Sequence, residues 1–171
     1  MNRILVLSPH PDDEAIGCGG TLLEHAEQGD VVKVVYLTSG EKGGHGRTEV
    51  ETKRLREQEA REAARILGVR HLEFWRAPDG AVRATDGLVR RLQAELRAFS
   101  PDNIYVTHER ETHPDHRGAA RLVRKSVSAL NGQRPVVFMF ELWTPIQRLD
   151  KIVDISSHLE NKLRAVRAYR S

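Results

Sequence analysis

Ile4-Leu5-Val6-Leu7 is an unbroken apolar run. A strand with one wet face alternates apolar and polar residues, so a run without alternation suits a strand buried on both faces of a parallel sheet. Further strands are predicted over residues 31–37, 71–75, 103–107, 135–140 and 152–155. Helical patterns fill the gaps: residues 15–28 up to Gly29, a long helix from the Thr48-x-x-Glu51 capping box to Gly68, 88–99 before Ser100-Pro101, a helix beginning near Arg117 and ending at Asn131-Gly132, and an amphipathic stretch over 156–170. Strand and helix in alternation call for an α/β fold with a doubly wound, mostly parallel sheet. If the strand order is 3-2-1-4-5, the first and fourth strands lie side by side where the winding reverses, and ligands bind at their C-terminal ends.

Length and composition fit one domain spanning residues 1–171, with 39% hydrophobic residues to fill a core. The formal charge of +3 is modest and its cations are scattered among nearly as many acids, so no nucleic-acid surface is indicated. The single Cys18 excludes an internal disulfide and suits a reducing compartment. No apolar run reaches membrane-spanning length and Met1 to Leu7 is too short for a signal-peptide core, which makes a cytoplasmic location the expectation.

The first strand runs into His10-Pro11-Asp12-Asp13-Glu14, an imidazole and three carboxylates within five residues. Adjacent acids at the end of a buried strand repel and are partly desolvated, so a cation or proton must compensate. A second cluster, His113-Pro114-Asp115-His116, follows the fourth strand. Asp caps and first-turn prolines explain either cluster as a polar helix start, but explain the two together poorly. A catalytic zinc site typically takes three His or carboxylate ligands and keeps a position open for water. Asp12 and Asp13 are adjacent and point differently, so one reaches a metal alongside His10 and the other is free to act as a base. His116 heads its helix as a ligand, with His113 and Asp115 flanking it as a pair for electrostatic work. The dinucleotide fingerprint fails, since Leu22 stands where a glycine is needed. The glycine-rich loop 38–46 leaves the same sheet end and reads as a lid. Arg56 lies on the apolar stripe of its helix with Ala60, Ala63, Ala64 and Leu67, which leaves open a snorkelling surface arginine and one that anchors substrate or clamps a carboxylate.

These two clusters resemble the two signatures of the LmbE-like (PIG-L) zinc-dependent N-deacetylases, which include the GlcNAc-phosphatidylinositol, mycothiol and bacillithiol pathway deacetylases. The resemblance extends to Gly19-Gly20-Thr21, Thr38-Ser39-Gly40-Glu41, Arg56-x-x-Glu59-Ala60, Leu67-Gly68-Val69, Val153-Asp154-Ile155 and Lys162-Leu163-x-Ala165. It implies a Rossmann-like fold, a Zn2+ cofactor held by His10, Asp13 and His116, Asp12 as general base, and His113, oriented by Asp115, as an imidazolium at the oxyanion. Arg56 and Glu41 become candidate substrate-binding residues. The implied substrate is a small N-acetylglucosamine-type conjugate; a non-catalytic metal- or sugar-binding module is the rival reading. The family usually continues past the match to Ala168-Tyr169-Arg170-Ser171, so the cleft is expected to lack the C-terminal extension, and a neighbouring subunit of a homo-oligomer is expected to close it. Among weaker candidates, Glu14 is expected to hold a ligand by hydrogen bond, His108 to be a satisfied, partly buried histidine, Trp143 to be core, His45 to be solvated and Cys18 to be packed.

Overall fold

The computed structural model describes residues 1–132 and 134–171. Five strands, β1 (Arg3–Ser8), β2 (Val31–Tyr36), β3 (His71–Phe74), β4 (Asn103–Thr107) and β5 (Val136–Phe140), form one sheet in the order β3-β2-β1-β4-β5, and every pairing is parallel. The α/β doubly wound expectation holds, strand order included. β1 is central: Leu5 registers with Lys33 on one side and Ile104 on the other.

Side chains of β1 alternate between two separate cores, which is why the run could not alternate in polarity. Ile4 and Val6 pack with Val34, Tyr36 and the inward residues of α1 (Asp13–Glu27), α2 (Glu49–Ile66) and α5 (Leu159–Val166). Leu5 and Leu7 pack with Ile104, Val106 and residues of α3 (Asp86–Phe99) and α4 (Pro114–Ser128). Burying four aliphatic side chains of β1 to 0% exposure is worth about 1.5–3 kcal/mol each before the entropy of ordering the strand. The capping box is formed: Thr48 accepts from the Glu51 amide and the Glu51 carboxylate accepts from Thr48 N.

The expected strand over 152–155 is not one. Ile155 packs against α1, where a Cβ on Gly20 would meet its side chain at 2.6 Å, and Asp154 Oδ1 accepts the Ser156 amide at 2.9 Å. The stretch is therefore a turn feeding a 3-10 segment (Ser156–His158), and the last helix is the shorter α5 rather than 156–170. Ile155 serves helix packing while Ile152 is exposed, and β5 is one edge of the sheet. Trp143, expected in the core, is 65% exposed, while Cys18 is buried and His45 exposed. Among the described residues no helix is long and apolar enough to cross a membrane.

Candidate metal centre and active site

β1 and β4 are neighbours, so the turns that follow them meet at the C-terminal edge of the sheet. Rings of His10, His113 and His116 lie with centroids 4.8 to 5.4 Å apart. Asp13 Oδ2 sits between two of them, 3.2 Å from His10 Nδ1 and 3.3 Å from His116 Nε2. Ligands 2.0–2.2 Å from a tetrahedral zinc stand about 3.3–3.6 Å from one another, close to these separations. His116 is 1% exposed, and its Nδ1 is buried with no hydrogen-bond partner, Glu111 Oε2 being 3.7 Å away.

Charge makes the same point. His10 Nε2 faces Asp115 Oδ2 and Asp79 Oδ1, each at 3.2 Å. Burial alone would lower the His10 pKa, but hydrogen bonds to Asp115, Asp13 and Asp79 overcome it and push the imidazole up to about 12. Burial opposes ionisation of Asp13 as well, yet its two imidazole partners hold it well below the usual carboxylate range. Three carboxylates around one imidazole are short of positive charge, which a divalent cation would supply. Ligand atoms of His10, His113 and His116 lie within 4.8 Å of one another, as do those of His10, Asp79 and Asp115, so this corner of the sheet can hold a metal ion. Asp115 lies on the Nε2 side of His10, away from Asp13.

Asp12 is set apart from Asp13 by its backbone. It stands at φ 112°, ψ −32°, an arrangement that costs a non-glycine residue about 1–3 kcal/mol and swings its carboxylate away from its neighbour's. Its carbonyl accepts the Ala15 and Ile16 amides at 3.0 Å. Arg56 does not snorkel outward. Its Nη2 donates to Pro11 O at 2.7 Å and Asp12 Oδ2 at 2.9 Å, and its Nη1 donates to Gly40 O at 3.1 Å. Gly40, at φ 62°, leaves the space that the guanidinium fills. Burial, then the charge of Asp13, raises the Asp12 pKa to about 7 against the pull of Arg56. The Asp12 side chain keeps 30% of its surface open, enough to meet a water. A carboxylate that is accessible and poised near neutrality can take and return a proton.

Three expected roles take a different form. His113 is not oriented by the Asp115 carboxylate; its Nδ1 accepts the Asp115 backbone amide at 3.2 Å, capping α4, while that carboxylate binds His10, Gly80 N at 2.7 Å and Val82 N at 3.0 Å. An Nδ1 that accepts leaves a ring proton on Nε2 as a donor, and burial plus the nearby His10 and His116 lower the His113 pKa. Glu41 Oε1 accepts the Asp79 amide at 2.8 Å, and Asp79 Oδ2 accepts the Lys42 amide at 3.0 Å, fastening the glycine-rich loop beside the site. Glu14 touches no ligand side chain; its Oε1 accepts the Tyr169 hydroxyl. His108 is satisfied, its Nδ1 accepting Arg110 N and its Nε2 lying 2.7 Å from Thr144 O.

Sequence reading missed Asp79 and Glu111. Pro78-Asp79-Gly80 looks like an ordinary turn, and its one signal is position, since it follows β3 at the sheet end where the motifs gather. Glu111 accepts the backbone amides of Leu142, Trp143 and Thr144 and so ties the loop after β5 to the second motif.

Comparison with known proteins agrees with this geometry. The chain is 28% identical over 99% of its length to a probable N-acetyl-alpha-D-glucosaminyl L-malate deacetylase 2 of Bacillus cereus, covering 83% of that protein. It is 30% identical, over all of its length and 70% of the other chain, to diacetylchitobiose deacetylase of Thermococcus kodakarensis. The solved 4-carboxy-2-hydroxymuconate hydratase of Pseudomonas putida KT2440 superposes with a TM-score of 0.88 at 30% identity, over 99% of this chain and 79% of that one. Residues 5–127, well over half of the chain, match the model of the GlcNAc-PI de-N-acetylase (PIG-L) family, and the chain belongs to that family.

Proposed function

We propose that the chain is a zinc-dependent amide hydrolase that removes the N-acetyl group from a small N-acetylglucosamine-type conjugate. One observation carries the reading: two imidazoles converge on a single Asp13 oxygen, while the adjacent Asp12 is turned aside, accessible and close to neutral pKa. Two of the relatives above are deacetylases, and the family takes its description from a de-N-acetylase.

His10, Asp13 and His116 would hold the zinc, which when bound would lower the pKa of a water towards 7 and polarise a carbonyl. Asp12 takes the proton as water attacks the acetyl carbonyl and returns it to the departing amine. His113 donates its Nε2 proton to the oxygen that gains charge, a contact worth about 3 kcal/mol in such sites. Arg56 keeps Asp12 in place and offsets its charge. Asp115 and Asp79 hold His10.

A hydratase among the relatives favours a second reading, in which the same base and metal add water to an unsaturated acid. Acetate release from N-acetylglucosamine conjugates, measured with and without added zinc, separates the two. Zinc-dependent acetate release is the expected result. Its absence in the zinc-loaded protein, with water added to an unsaturated carboxylic acid instead, would overturn the deacetylase reading, and activity of neither kind would return the chain to a binding module. The proposal also covers a cytoplasmic location and a homo-oligomer; sedimentation as a strict monomer with full activity would remove the latter.

A further inference from the structure

Glu14 is a fully buried carboxylate one residue from a metal ligand, and the chemistry above leaves it without a role. Its hydrogen bonds all run behind the site. Oε1 accepts the Tyr169 hydroxyl at 2.5 Å, and Oε2 accepts the Asp12 backbone amide at 3.2 Å, with the Ser8 hydroxyl at 3.5 Å. Tyr169 follows α5, and its position is set on both sides. The Tyr36 hydroxyl lies 3.4 Å from its own and also faces the Glu14 carboxylate, and the next two residues are tied to the buried Glu59, which accepts Arg170 N at 3.0 Å and the Ser171 hydroxyl at 2.7 Å.

Asp12 is the residue that needs support. Its positive φ is unfavourable for any side chain, and its own side chain makes no cap with the helix it begins. Arg56 holds the carboxylate, and Ala15 and Ile16 hold the carbonyl. Among the described residues the amide has one acceptor, the Glu14 carboxylate. If that oxygen moved, the peptide before Asp12 would lose the contact that keeps it rotated, and the carboxylate would drift from its line to the metal ligands.

We propose that Glu14 and Tyr169 are positioning residues: the phenol fixes the Glu14 carboxylate, which holds the Asp12 amide and so keeps the base in its strained, productive conformation. The proposal rests on Asp12 being the base of the reaction inferred above. It makes a segment some 155 residues away in sequence part of the catalytic apparatus without touching substrate or metal.

Tyr169→Phe tests it by removing one oxygen. In the full-length, metal-free protein, amide exchange followed by NMR reads the support directly, because local opening governs exchange. The Asp12 amide is expected to exchange at least about tenfold faster in the variant, with the Leu5 and Val6 amides of β1 unchanged. In the zinc-loaded protein, zinc content and KM should hold while kcat falls about tenfold, since misplacing a group costs turnover rather than binding. Glu14→Gln serves as the conservative rescue: its carbonyl oxygen still accepts from Asp12, its NH2 turns to the phenol oxygen, and exchange at Asp12 should stay near that of the wild type. Glu14→Ala should lose both; should it fail to fold, the Tyr169→Phe and Glu14→Gln pair still decides. Unchanged exchange at Asp12 in Tyr169→Phe would overturn the proposal, as would faster exchange throughout β1, which would make Tyr169 a general stabiliser. Exchange is read without substrate, so it stands even if acetate is never released and the deacetylase reading falls.

Discussion

The two strand-end turns share the letters His-Pro-Asp and are built in opposite ways. In the turn from β1 to α1, Asp12 sits at φ 112° with no side-chain cap, and its conformation depends on Arg56 from α2 and on Glu14. In the turn from β4 to α4, His113 sits at φ −73°, Pro114 opens the helix and the His113 ring caps it within two residues. The second turn is locally self-consistent, while the first exists only because distant parts of the fold hold it. The difference follows their work. Under the proposed mechanism two adjacent carboxylates do different jobs, and an unstrained helix start would not part them so widely.

The largest effects should come from breaking that division. Asp13→Asn removes a ligand charge, and zinc affinity should fall by more than about 100-fold, since losing even an outer partner of a ligand costs about 10- to 100-fold. Asp12→Asn keeps the shape and removes the base, so kcat should fall by about 10² to 10⁴ with zinc retained. Elemental analysis beside turnover measures both. Zinc lost from Asp12→Asn and kept by Asp13→Asn would reverse the two assignments.

Asp115 blurs the contrast, because it belongs to the second turn by sequence and to the first by contact. Asp115→Asn can keep an oxygen on the Val82 amide, but Oδ2 serves both His10 and the Gly80 amide, so an NH2 in its place gives up both contacts and zinc affinity should drop by about 10- to 100-fold. Catalysis at saturating zinc should change less than in Asp12→Asn. If instead zinc binding is untouched and only turnover suffers, Asp115 acts through His113, as adjacency in sequence had suggested.

The next effect is a pH dependence. With Asp115, Asp13 and Asp79 outweighing burial, His10 is pushed up to about 12 and carries a proton at neutral pH before metal arrives. Zinc must displace that proton. Affinity should rise about tenfold per pH unit around neutrality, with about one proton released per zinc, which calorimetry in buffers of different ionisation enthalpy reads directly. In the metal-free chain the same shift contributes stability that is fully present below the ordinary value of 6.5 and is lost as pH climbs through about 12. Affinity independent of pH would show that His10 is neutral when metal binds.

Much of this was legible in the sequence, for identifiable reasons. A strand buried on both faces shows itself in an unbroken apolar run, and strand–helix alternation called for parallel pairing, with β1 beside β4 once the common strand order was assumed. The ligand candidates were visible because they are contiguous in two motifs. Ile152–Ile155 misled because a β-branched residue that packs against Gly20, as Ile155 does, reads the same as one that pairs in a sheet. Asp79 and Glu111 were invisible because each is a lone acid whose partners come from other elements. Arg56 was conspicuous by position, but the direction of its guanidinium depends on space left by Gly40, a tertiary fact.

The smallest expected effect is on stability, and it tests whether the second turn is as self-sufficient as its geometry indicates. His113 Nδ1 accepts the amide of Asp115, the second residue of α4, which is the bond an N-cap side chain makes. In the metal-free protein, His113→Ala should cost about 1 kcal/mol, or about 2–4 °C in Tm for a chain of this size. Asn is among the best N-cap residues, so His113→Asn should recover most of that loss while leaving catalysis without the Nε2 donor. Stability and turnover would then part company at one position, which a purely structural histidine would not allow. If Asn proves no more stable than Ala, the ring is held by the site rather than by the helix, and the β4–α4 turn depends on remote contacts as much as its partner does.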